Sequence, residues 1–436
     1  MKTLNELRAG LLTGQTTLSL SCGLTTFPKE IFDLADTLEV LDLTCNHLDS
    51  LPDDLDRLKK LRILFLSENN FTQIPAVLAK CTSLTMIGFK ANKISSFEEN
   101  VLPLHTQWLI LTDNKIEKLP NSIGNLEKLQ KCMLAGNKIQ SLPETMQRCK
   151  NLELLRISAN VLEVLPSWLF TLPRLSWLAC AGNPCSKDLS EKECGLAKIH
   201  WDKLTLHEEL GEGASGLISR GYWSCESSDV AVKVFKGEVT SDGYPADEMK
   251  VCIAVGEHDN LTTVHGKIHE HAEDKEGLIL ALIPPEYLNL GNPPSLQTCT
   301  RDTYVKGTHF SFTRLLGILL DVASSAEHLH SKEIMHGDLY AHNILINESG
   351  HSLLSDFGAS TLYGHIENIK KNAFEKLEVR AFGCLMEDLL NHYRDNNMKK
   401  YEKDMQQLKI LKDTCMQEKT HLRPLFSDIY ELLSKL

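Results

Sequence analysis

The sequence lacks any apolar run of about 18 residues, the length that a membrane-spanning helix requires. It also lacks an excess of positive charge, because 46 Lys and Arg stand against 58 Asp and Glu, for a net charge of −12. Nonspecific binding to nucleic acid needs a concentrated cationic surface, so this charge argues against a nucleic-acid partner. The first residues show no apolar segment with a cleavage site. We expect an uncleaved, soluble, cytoplasmic protein with no membrane span.

No CxxC pair occurs among the 13 cysteines, which are scattered through both halves of the chain. Cys180, Cys185 and Cys194 form the single suspicious cluster, and no histidine completes it as a metal site. A disulfide or metal site there is the alternative, but free thiols in a reducing cytoplasm are the preferred interpretation. The chain also has no GxxxxGK[ST] loop, which excludes a GTPase module between two other domains.

The 436 residues are 42% hydrophobic and 24% charged, which is typical of globular proteins of two or three domains. An asparagine recurs every 22 or 23 residues in the first half, after an apolar alternation and before an apolar–Pro step. This repeat predicts a solenoid with one short strand per turn. The pattern resembles leucine-rich repeats, about eight of them over residues 14–185. The recurring asparagines are Asn46, Asn69, Asn92, Asn114, Asn137, Asn160 and Asn183.

Strand alternation predicts which residues face the concave side of this solenoid. Four large apolar side chains fall on that face, which are Phe65, Trp108, Met133 and Trp177. A contiguous apolar face marks a partner surface, so we expect a protein substrate or regulator there. The partner could also be the second half of this chain, as an intramolecular contact. The alternative is that neighbouring side chains cover one another and that nothing binds.

The second half begins with a glycine-rich segment, Leu210 to Ile218, which contains the pattern GxGxxG. A dinucleotide-binding fold would need a helix to start inside this loop. The flanking segments instead favour two antiparallel strands, the second over residues 229–235. Glycine lets the backbone approach phosphates closely, so we expect the loop to cover them.

Further motifs follow in a fixed order: A-V-K ending at Lys233, Glu248 in a predicted helix, H-G-D-L-Y-A-H-N ending at Asn343, and D-F-G starting at Asp356. With the glycine loop, this ordered set resembles a protein kinase over residues 204–436. The resemblance implies an α/β leucine-rich repeat solenoid followed by an α+β bilobal protein kinase fold. The expected domains are residues 1–195 and 200–436.

The resemblance implies ATP and Mg²⁺ as cofactors. Asp338 would accept or orient the proton of the attacking hydroxyl, and Lys233, held by Glu248, would fix the nucleotide. Asn343 and Asp356 would hold the metal ion. The residues that the resemblance places around the nucleotide are Leu210, Gly211, Glu212, Gly213, Ala214, Ser215, Gly216, Ile218, Ala231, Lys233, Ala281, Ile283 and Leu345.

The chain departs from the family pattern in three places. Gly337 stands where many kinases have an arginine that pairs with a phosphorylated activation loop, and Tyr340 stands where serine/threonine kinases have a lysine. No Ala-Pro-Glu segment can be read between Asp356 and the helix that contains Glu378, so the activation segment is short. Arg423 would normally pair with the glutamate of that missing segment, and Glu375 is its candidate partner here.

Two hypotheses follow for function. The first is an active protein kinase that phosphorylates serine or threonine rather than tyrosine, with the repeats binding or gating substrates or partners. The second is a nucleotide-binding pseudokinase scaffold that acts through its repeats. We prefer the kinase, because Lys233, Glu248, Asp338, Asn343 and Asp356 are all present.

Overall fold

A computed structural model describes residues 3–186, 196–213, 215–237, 239–367, 369–370, 372–395 and 399–436. The chain divides into two compact units, Met1–Leu172 and Pro173–Leu436. The domain limits 1–195 and 200–436 stay predictions, and the units are described separately below. Across the described ranges, every helix is too short or too polar to span a bilayer.

The first unit is a parallel sheet in which each short strand pairs with the next along the chain. A capped helix, α1 (Leu4–Arg8), precedes it. The strands are β1 (Thr17–Ser19), β2 (Val40–Asp42), β3 (Ile63–Phe65), β4 (Met86–Gly88), β5 (Trp108–Ile110), β6 (Lys131–Met133) and β7 (Leu154–Arg156). Short 3₁₀ helices follow most strands, and several start directly after the proline of the apolar–Pro step. This is the predicted solenoid.

The recurring asparagines hold adjacent coils together. Asn69 donates through Nδ2 to the carbonyls of Leu43 at 2.9 Å and Leu66 at 3.1 Å, while its Oδ1 accepts from the backbone amide of Leu48 at 2.9 Å. Asn114 makes the same set of bonds two coils further on. Buried backbone N–H and C=O groups are nearly always hydrogen-bonded. One asparagine side chain per turn provides partners for the backbone groups that strand pairing does not satisfy.

A left-handed residue precedes each of these asparagines. The φ angles are 57° at Cys45, 53° at Glu68, 53° at Ala91, 55° at Asp113 and 52° at Ala159, and only two of the seven turns have glycine at this position. A side chain in this region costs about 1–2 kcal/mol, so the asparagine bonds hold the backbone against a local preference.

The central residue of each strand is fully buried, while its neighbours face the other side, as the alternation predicts. Phe65, Trp108 and Met133 are half-buried on that second face. Lys131 places its Nζ 4.2 Å from the centre of the Trp108 ring, so part of the apolar surface is covered by a neighbour. Trp177 differs from the expectation of an exposed face, because only 1% of it is exposed and it lies in the second unit.

The second unit combines a six-stranded sheet, small sheets and helices. Its helices are α2 (Pro245–Val255), α3 (Phe312–Ser331), α4 (Ala373–Asn391), α5 (Glu402–Cys415) and α6 (Phe426–Leu433). Its strands are β8 (Trp177–Ala179), β9 (Ala197–His200), β10 (Leu204–Glu212), β11 (Gly216–Trp223), β12 (Ser228–Phe235), β13 (Val264–His269), β14 (Gly277–Ala281), β15 (Leu288–Asn289), β16 (Ile334–Met335), β17 (Ile344–Ile346), β18 (Ser352–Leu354) and β19 (Thr361–Leu362).

The large sheet has the order β10-β11-β12-β14-β13-β9 and is antiparallel except for the β13–β9 pair. A second sheet has the order β15-β17-β18, and β16 pairs with β19. Helix α3 packs against α6, and α4 packs against α5 and β8. A strand-rich part that carries α2 is thus followed by a helical part. This is the fold predicted for the second half.

Twelve cysteines in the described ranges are free thiols, including Cys180 and Cys185. Burial raises the pKa of the Cys185 thiol to about 11, so it is protonated at neutral pH. Cys194, the third member of the predicted cluster, lies outside the described residues. The preferred interpretation of unpaired thiols therefore holds for the described cysteines.

Candidate active site

A cavity of about 470 Å³ lies between the glycine-rich strands and the helical part of the second unit. Its walls include apolar side chains at Leu210, Ile218, Ala231 and Leu345, and Lys233 and Asp356 reach it as charged groups. Most small-molecule sites are apolar cavities of about 300–1,000 Å³ with a few placed polar groups. The size and lining match a site for a nucleotide-sized ligand.

Lys233 and Glu248 form an ion pair inside this cavity, between Nζ and Oε1. Lys233 lies on β12, opposite Ile218 of β11, and Glu248 lies in the first turn of α2. A proline at the start of that helix presets its first turn. The side chains are 12% and 2% exposed, so both charges are removed from water.

The electrostatics keep Lys233 charged. Burial acts to lower the pKa of Lys233, but the charge and hydrogen bond of Glu248 outweigh it and raise that pKa. Glu248 Oε2 is buried with no hydrogen-bond partner among the described residues. Buried polar atoms in proteins are nearly always satisfied, so an atom of this kind beside a cavity indicates a polar ligand.

Asp356 faces the cavity from the loop after β18. Its φ angle is 62°, a left-handed conformation that non-glycine residues adopt at a cost. Its Oδ1 accepts a hydrogen bond from the backbone amide of Gly358 at 3.1 Å. Phe357 is buried, with its ring centre 5.3 Å from that of His336. Phe357 thus anchors the loop in the core, while the carboxylate of Asp356 stays exposed.

Asp338 and Asn343 face each other across the loop between β16 and β17. Asn343 donates through Nδ2 to Asp338 Oδ2 at 2.9 Å and to the Asp338 carbonyl at 2.9 Å. The backbone amide and the hydroxyl of Ser355 both donate to the Asn343 carbonyl at 2.9 Å, which places Asn343 beside the residue that precedes Asp356. The carboxylates of the two motifs are therefore held on one connected loop structure.

A buried glutamate on α4 supports this loop. Glu378 accepts hydrogen bonds from the backbone amides of His336 at 3.1 Å and Gly337 at 2.6 Å, and from His330 Nε2 at 2.8 Å. Burial acts to raise the pKa of Glu378, but His330, His336 and the Gly337 amide outweigh it and lower that pKa. Glu378 thus stays ionised and fixes the backbone immediately before Asp338.

Gly337 occupies a position with no room for a side chain. Its φ is 75°, and a Cβ there would lie 2.5 Å from the Ala359 carbonyl oxygen and 2.6 Å from that of Leu178. The arginine that many kinases carry here could not fit. The two close carbonyl oxygens are thus a steric reason for glycine at this position.

Arg423 has different partners from the one predicted. It donates to the carbonyl oxygens of Gln417 at 2.9 Å, Lys376 at 2.9 Å and Pro173 at 2.7 Å. Glu375, the expected partner, accepts instead from the backbone amide of Phe426 at 2.8 Å. Three backbone carbonyls therefore replace the carboxylate that the family pattern provides.

The cavity brings together most residues of the predicted nucleotide site. Gly211 and Glu212 stand apart from the described lining, and Glu212 pairs with Lys236 at 2.6 Å instead. Ala214 lies outside the described residues. The predicted residues that line the cavity are Leu210, Gly213, Ser215, Gly216, Ile218, Ala231, Lys233, Glu248, Ala281, Ile283, Leu345 and Asp356.

The residues present fit ATP and a magnesium ion by their chemistry. Lys233 offers a charged donor for phosphate, the apolar walls suit a planar base, and Asp356 and Asn343 offer the oxygen ligands that Mg²⁺ prefers.

The family described as protein tyrosine and serine/threonine kinase matches residues 204–382. Residues 204–382 form a protein kinase domain. The leucine rich repeat family matches residues 17–100, so a repeat region precedes this kinase domain in the chain.

The curated relatives match about half of the chain. Fibroblast growth factor receptor 1 of Pleurodeles waltl is 28% identical over 246 residues, 51% of this chain and 29% of that protein. Megakaryocyte-associated tyrosine-protein kinase of Mus musculus is 30% identical over 217 residues, 46% of this chain and 40% of that protein. The chain thus spans less than half the length of either relative.

An intramolecular contact is one of the alternatives predicted for the apolar face that includes Trp177, but no pattern in the sequence indicates the partner residues of this side chain. Trp177 stacks on Tyr340 with ring centres 4.3 Å apart, and its Nε1 donates to the Leu339 carbonyl at 3.1 Å. The two available signals were an apolar strand residue and an unusual tyrosine two positions after Asp338. Neither signal indicates the other, because residues 163 positions apart give no local sign of contact.

Proposed function

We propose that this chain is an active, ATP-dependent protein kinase that transfers the γ-phosphoryl group to a protein hydroxyl. The observation that carries the proposal is the buried ion pair of Lys233 and Glu248 in a cavity that Asp356 faces. Removing two charges from water is costly, so a buried ion pair beside a cavity favours a functional role over a purely stabilising one. Phosphoryl transfer depends on positioning and charge neutralisation, and this arrangement supplies both.

Each residue has a distinct task in this proposal. Lys233 holds the nucleotide phosphates, and Glu248 holds Lys233. Asp338 orients the acceptor hydroxyl and takes its proton, while Asn343 keeps the Asp338 carboxylate in place through its 2.9 Å hydrogen bond. Asn343 and Asp356 would hold Mg²⁺, which neutralises phosphate charge when bound.

The proposal has two alternatives for the acceptor, which are serine or threonine and tyrosine. The sequence analysis preferred serine or threonine, and the comparisons do not support that preference, because one relative is named a tyrosine-protein kinase. Tyr340 in place of the lysine of serine/threonine kinases argues in the same direction. Phosphoamino-acid analysis of the labelled product distinguishes the acceptor classes.

We further propose that the repeat unit binds a protein through Phe65, Trp108 and Met133, which are half-buried on one face. Trp177 is not part of this surface, because it is buried. Capture of a partner by the intact chain should weaken on the double change Phe65→Ala and Trp108→Ala. Unchanged capture of every partner by the double variant would contradict this surface.

Transfer of labelled phosphate from ATP with Mg²⁺ tests the kinase proposal. The wild-type chain should label itself or a supplied protein, and Asp338→Asn should lose the activity. Asp413→Asn, a change of one exposed carboxylate, is the matched control and should keep full activity. Nucleotide binding without transfer in the wild type would instead support the pseudokinase scaffold.

A further inference from the structure

The last repeat strand, β8, lies against the catalytic loop of the kinase domain. Trp177 is 1% exposed, and its ring stacks on Tyr340 at 4.3 Å with an interplanar angle of 8°. Its indole Nε1 donates to the carbonyl of Leu339 at 3.1 Å. Leu339 and Tyr340 directly follow Asp338 in the chain. Trp177 therefore contacts the two residues that come between Asp338 and the rest of the loop.

The stack continues beyond Tyr340. The ring of His342 lies 5.0 Å from that of Tyr340 at an interplanar angle of 30°, and His342 Nδ1 lies 2.7 Å from Asp302 Oδ1. Trp177, Tyr340 and His342 thus form a row of three rings along the loop between Asp338 and Asn343. Stacked aromatic pairs contribute more stability than the burial of their apolar area alone, so this row of rings restrains the loop.

Strand β8 also contacts the segment that follows Asp356. The backbone amide of Cys180 donates to Thr361 Oγ1 at 3.2 Å. The carbonyl of Leu178 occupies the space where a side chain at Gly337 would lie. The strand therefore touches the catalytic loop and the start of the activation segment at the same time.

The residues just before β8 bind two buried arginines. Arg380 donates to the Pro173 carbonyl at 3.1 Å and to Ser176 Oγ at 3.2 Å, and Arg423 donates to the Pro173 carbonyl at 2.7 Å. The activation segment is short and lacks the Ala-Pro-Glu motif whose glutamate Arg423 would bind. Residues 173–180 supply acceptors to both arginines, and the Pro173 carbonyl is shared between them.

We propose that residues 173–180, from the last repeat, replace the missing part of the activation segment, and that Trp177 is a positioning residue for phosphoryl transfer. This inference rests on the kinase function proposed above. Trp177 holds Tyr340 and Leu339, and through them the Asp338 carboxylate, without phosphorylation of an activation loop. Gly337, where other kinases have a phosphate-binding arginine, is the consequence of this packing.

The test compares Trp177→Ala, Trp177→Phe and the wild type in the intact chain. Misplacing a catalytic group by about 1 Å can cost about 10²-fold in rate, so we expect kcat to fall by about that factor in Trp177→Ala. KM for ATP should stay unchanged, because Trp177 is not among the described lining of the nucleotide cavity. Trp177→Phe keeps a ring for stacking and should recover most of the lost kcat.

Trp201→Ala is the matched control, since Trp201 packs on His271 at 4.2 Å in the same unit, away from the catalytic loop. It should leave kcat unchanged. Amide hydrogen exchange gives a second readout, and protection of residues 339–343 should fall in Trp177→Ala but not in Trp201→Ala.

The outcomes separate this inference from the proposed function. If the wild type transfers phosphate and Trp177→Ala matches it in kcat and in protection of residues 339–343, the inference is wrong while the kinase proposal stands. A faster Trp177→Ala would also overturn it, because β8 would then restrain the loop. If the wild type shows no transfer, the kinase proposal fails, and hydrogen exchange alone decides whether Trp177 holds the loop.

Discussion

At the scale of single residues, the account depends on buried charges that have specific partners. Lys233 and Glu248 neutralise each other inside the nucleotide cavity, and the buried Glu378 carboxylate is hydrogen-bonded by His330 and two backbone amides. Removing one member of such a buried pair strongly destabilises the fold, because the other member stays buried, charged and unpaired.

Glu248→Gln should therefore weaken both stability and catalysis. Loss of a buried partner is expected to lower the free energy of unfolding by about 3 kcal/mol. Transfer should fall by about 10²-fold, because Lys233 is no longer held in place. Asp247→Asn is the control, since Asp247 pairs with Lys250 at 3.2 Å nearer the surface, and it should change stability by less than about 0.5 kcal/mol. Chemical unfolding and transfer assays measure both, and equal behaviour of the two variants would contradict the role of Glu248.

His342 makes the stability of the catalytic loop depend on pH. Burial acts to lower the pKa of His342, but its hydrogen bond to Asp302 outweighs this and raises the pKa above the unfolded value. A group with a raised folded pKa stabilises the protein fully below its unfolded pKa of about 6.5 and loses that contribution as pH rises through the folded value.

His342→Gln should accordingly cost more stability at acidic than at alkaline pH. A hydrogen bond between charged groups is worth about 1.5 kcal/mol, so the free energies of unfolding of wild type and variant should differ by about that amount more near pH 6 than near pH 9. Denaturant unfolding over this pH range measures the difference. A difference that does not vary with pH would show that His342 is not protonated against Asp302.

The left-handed residue before each asparagine is a point of local strain in the repeat unit. Ala91→Gly should raise the free energy of unfolding by up to about 1 kcal/mol, because glycine adopts the φ of 53° without the cost of a Cβ. Ala79→Gly, in a 3₁₀ helix of the same unit, should lower it by about 0.5–1 kcal/mol. Thermal or chemical unfolding measures both, and a destabilised Ala91→Gly would contradict this account of the turn.

At the scale of secondary-structure elements, hydrogen bonds from the recurring asparagines stabilise the repeat unit together with the packing of its buried leucines. Asn114 donates to the carbonyls of Phe89, Leu111 and Thr112, and it accepts from the backbone amide of Ile94. These partners belong to two consecutive coils and are buried. Replacing the side chain leaves several of them without a partner in a place that water does not reach.

Asn114→Ala should thus lower the free energy of unfolding by at least about 2 kcal/mol, since each unsatisfied buried group costs about 1–3 kcal/mol. Asn125→Ala is the control, because Asn125 is exposed and should change stability by less than about 0.5 kcal/mol. Urea unfolding of the two variants tests the difference. A loss of equal size in both would show that the recurring position has no special role.

Elements marked by a pattern within a short stretch of sequence were predictable. The asparagine spacing, the strand alternation and the kinase motifs predicted the solenoid, the antiparallel strands β11 and β12, and α2 with Glu248, although the glycine loop joins β10 to β11. Contacts between distant segments were not predictable in the same way. The carbonyl partners of Arg423 and the burial of Trp177 depend on where residues 173–180 pack, and no periodicity encodes that.

At the scale of the whole molecule, the chain joins a repeat unit and a kinase domain, and the last repeat strand lies in the same compact unit as the kinase motifs. The chain lacks the Ala-Pro-Glu segment whose glutamate Arg423 would bind. Arg380 and Arg423 need buried acceptors, and Pro173 and Ser176 provide several of them, while Gln417 and Lys376 provide the rest for Arg423.

The most direct test of the central claim is mass spectrometry of phosphorylated residues after incubation of the intact chain with ATP and Mg²⁺. The account predicts phosphorylated hydroxyl residues in the wild type, on the chain itself or on a supplied protein, and their absence in Asp338→Asn. Asp413→Asn should match the wild type. An absence of phosphorylated residues in the wild type, or the same set in Asp338→Asn, would contradict the claim that this site transfers phosphate.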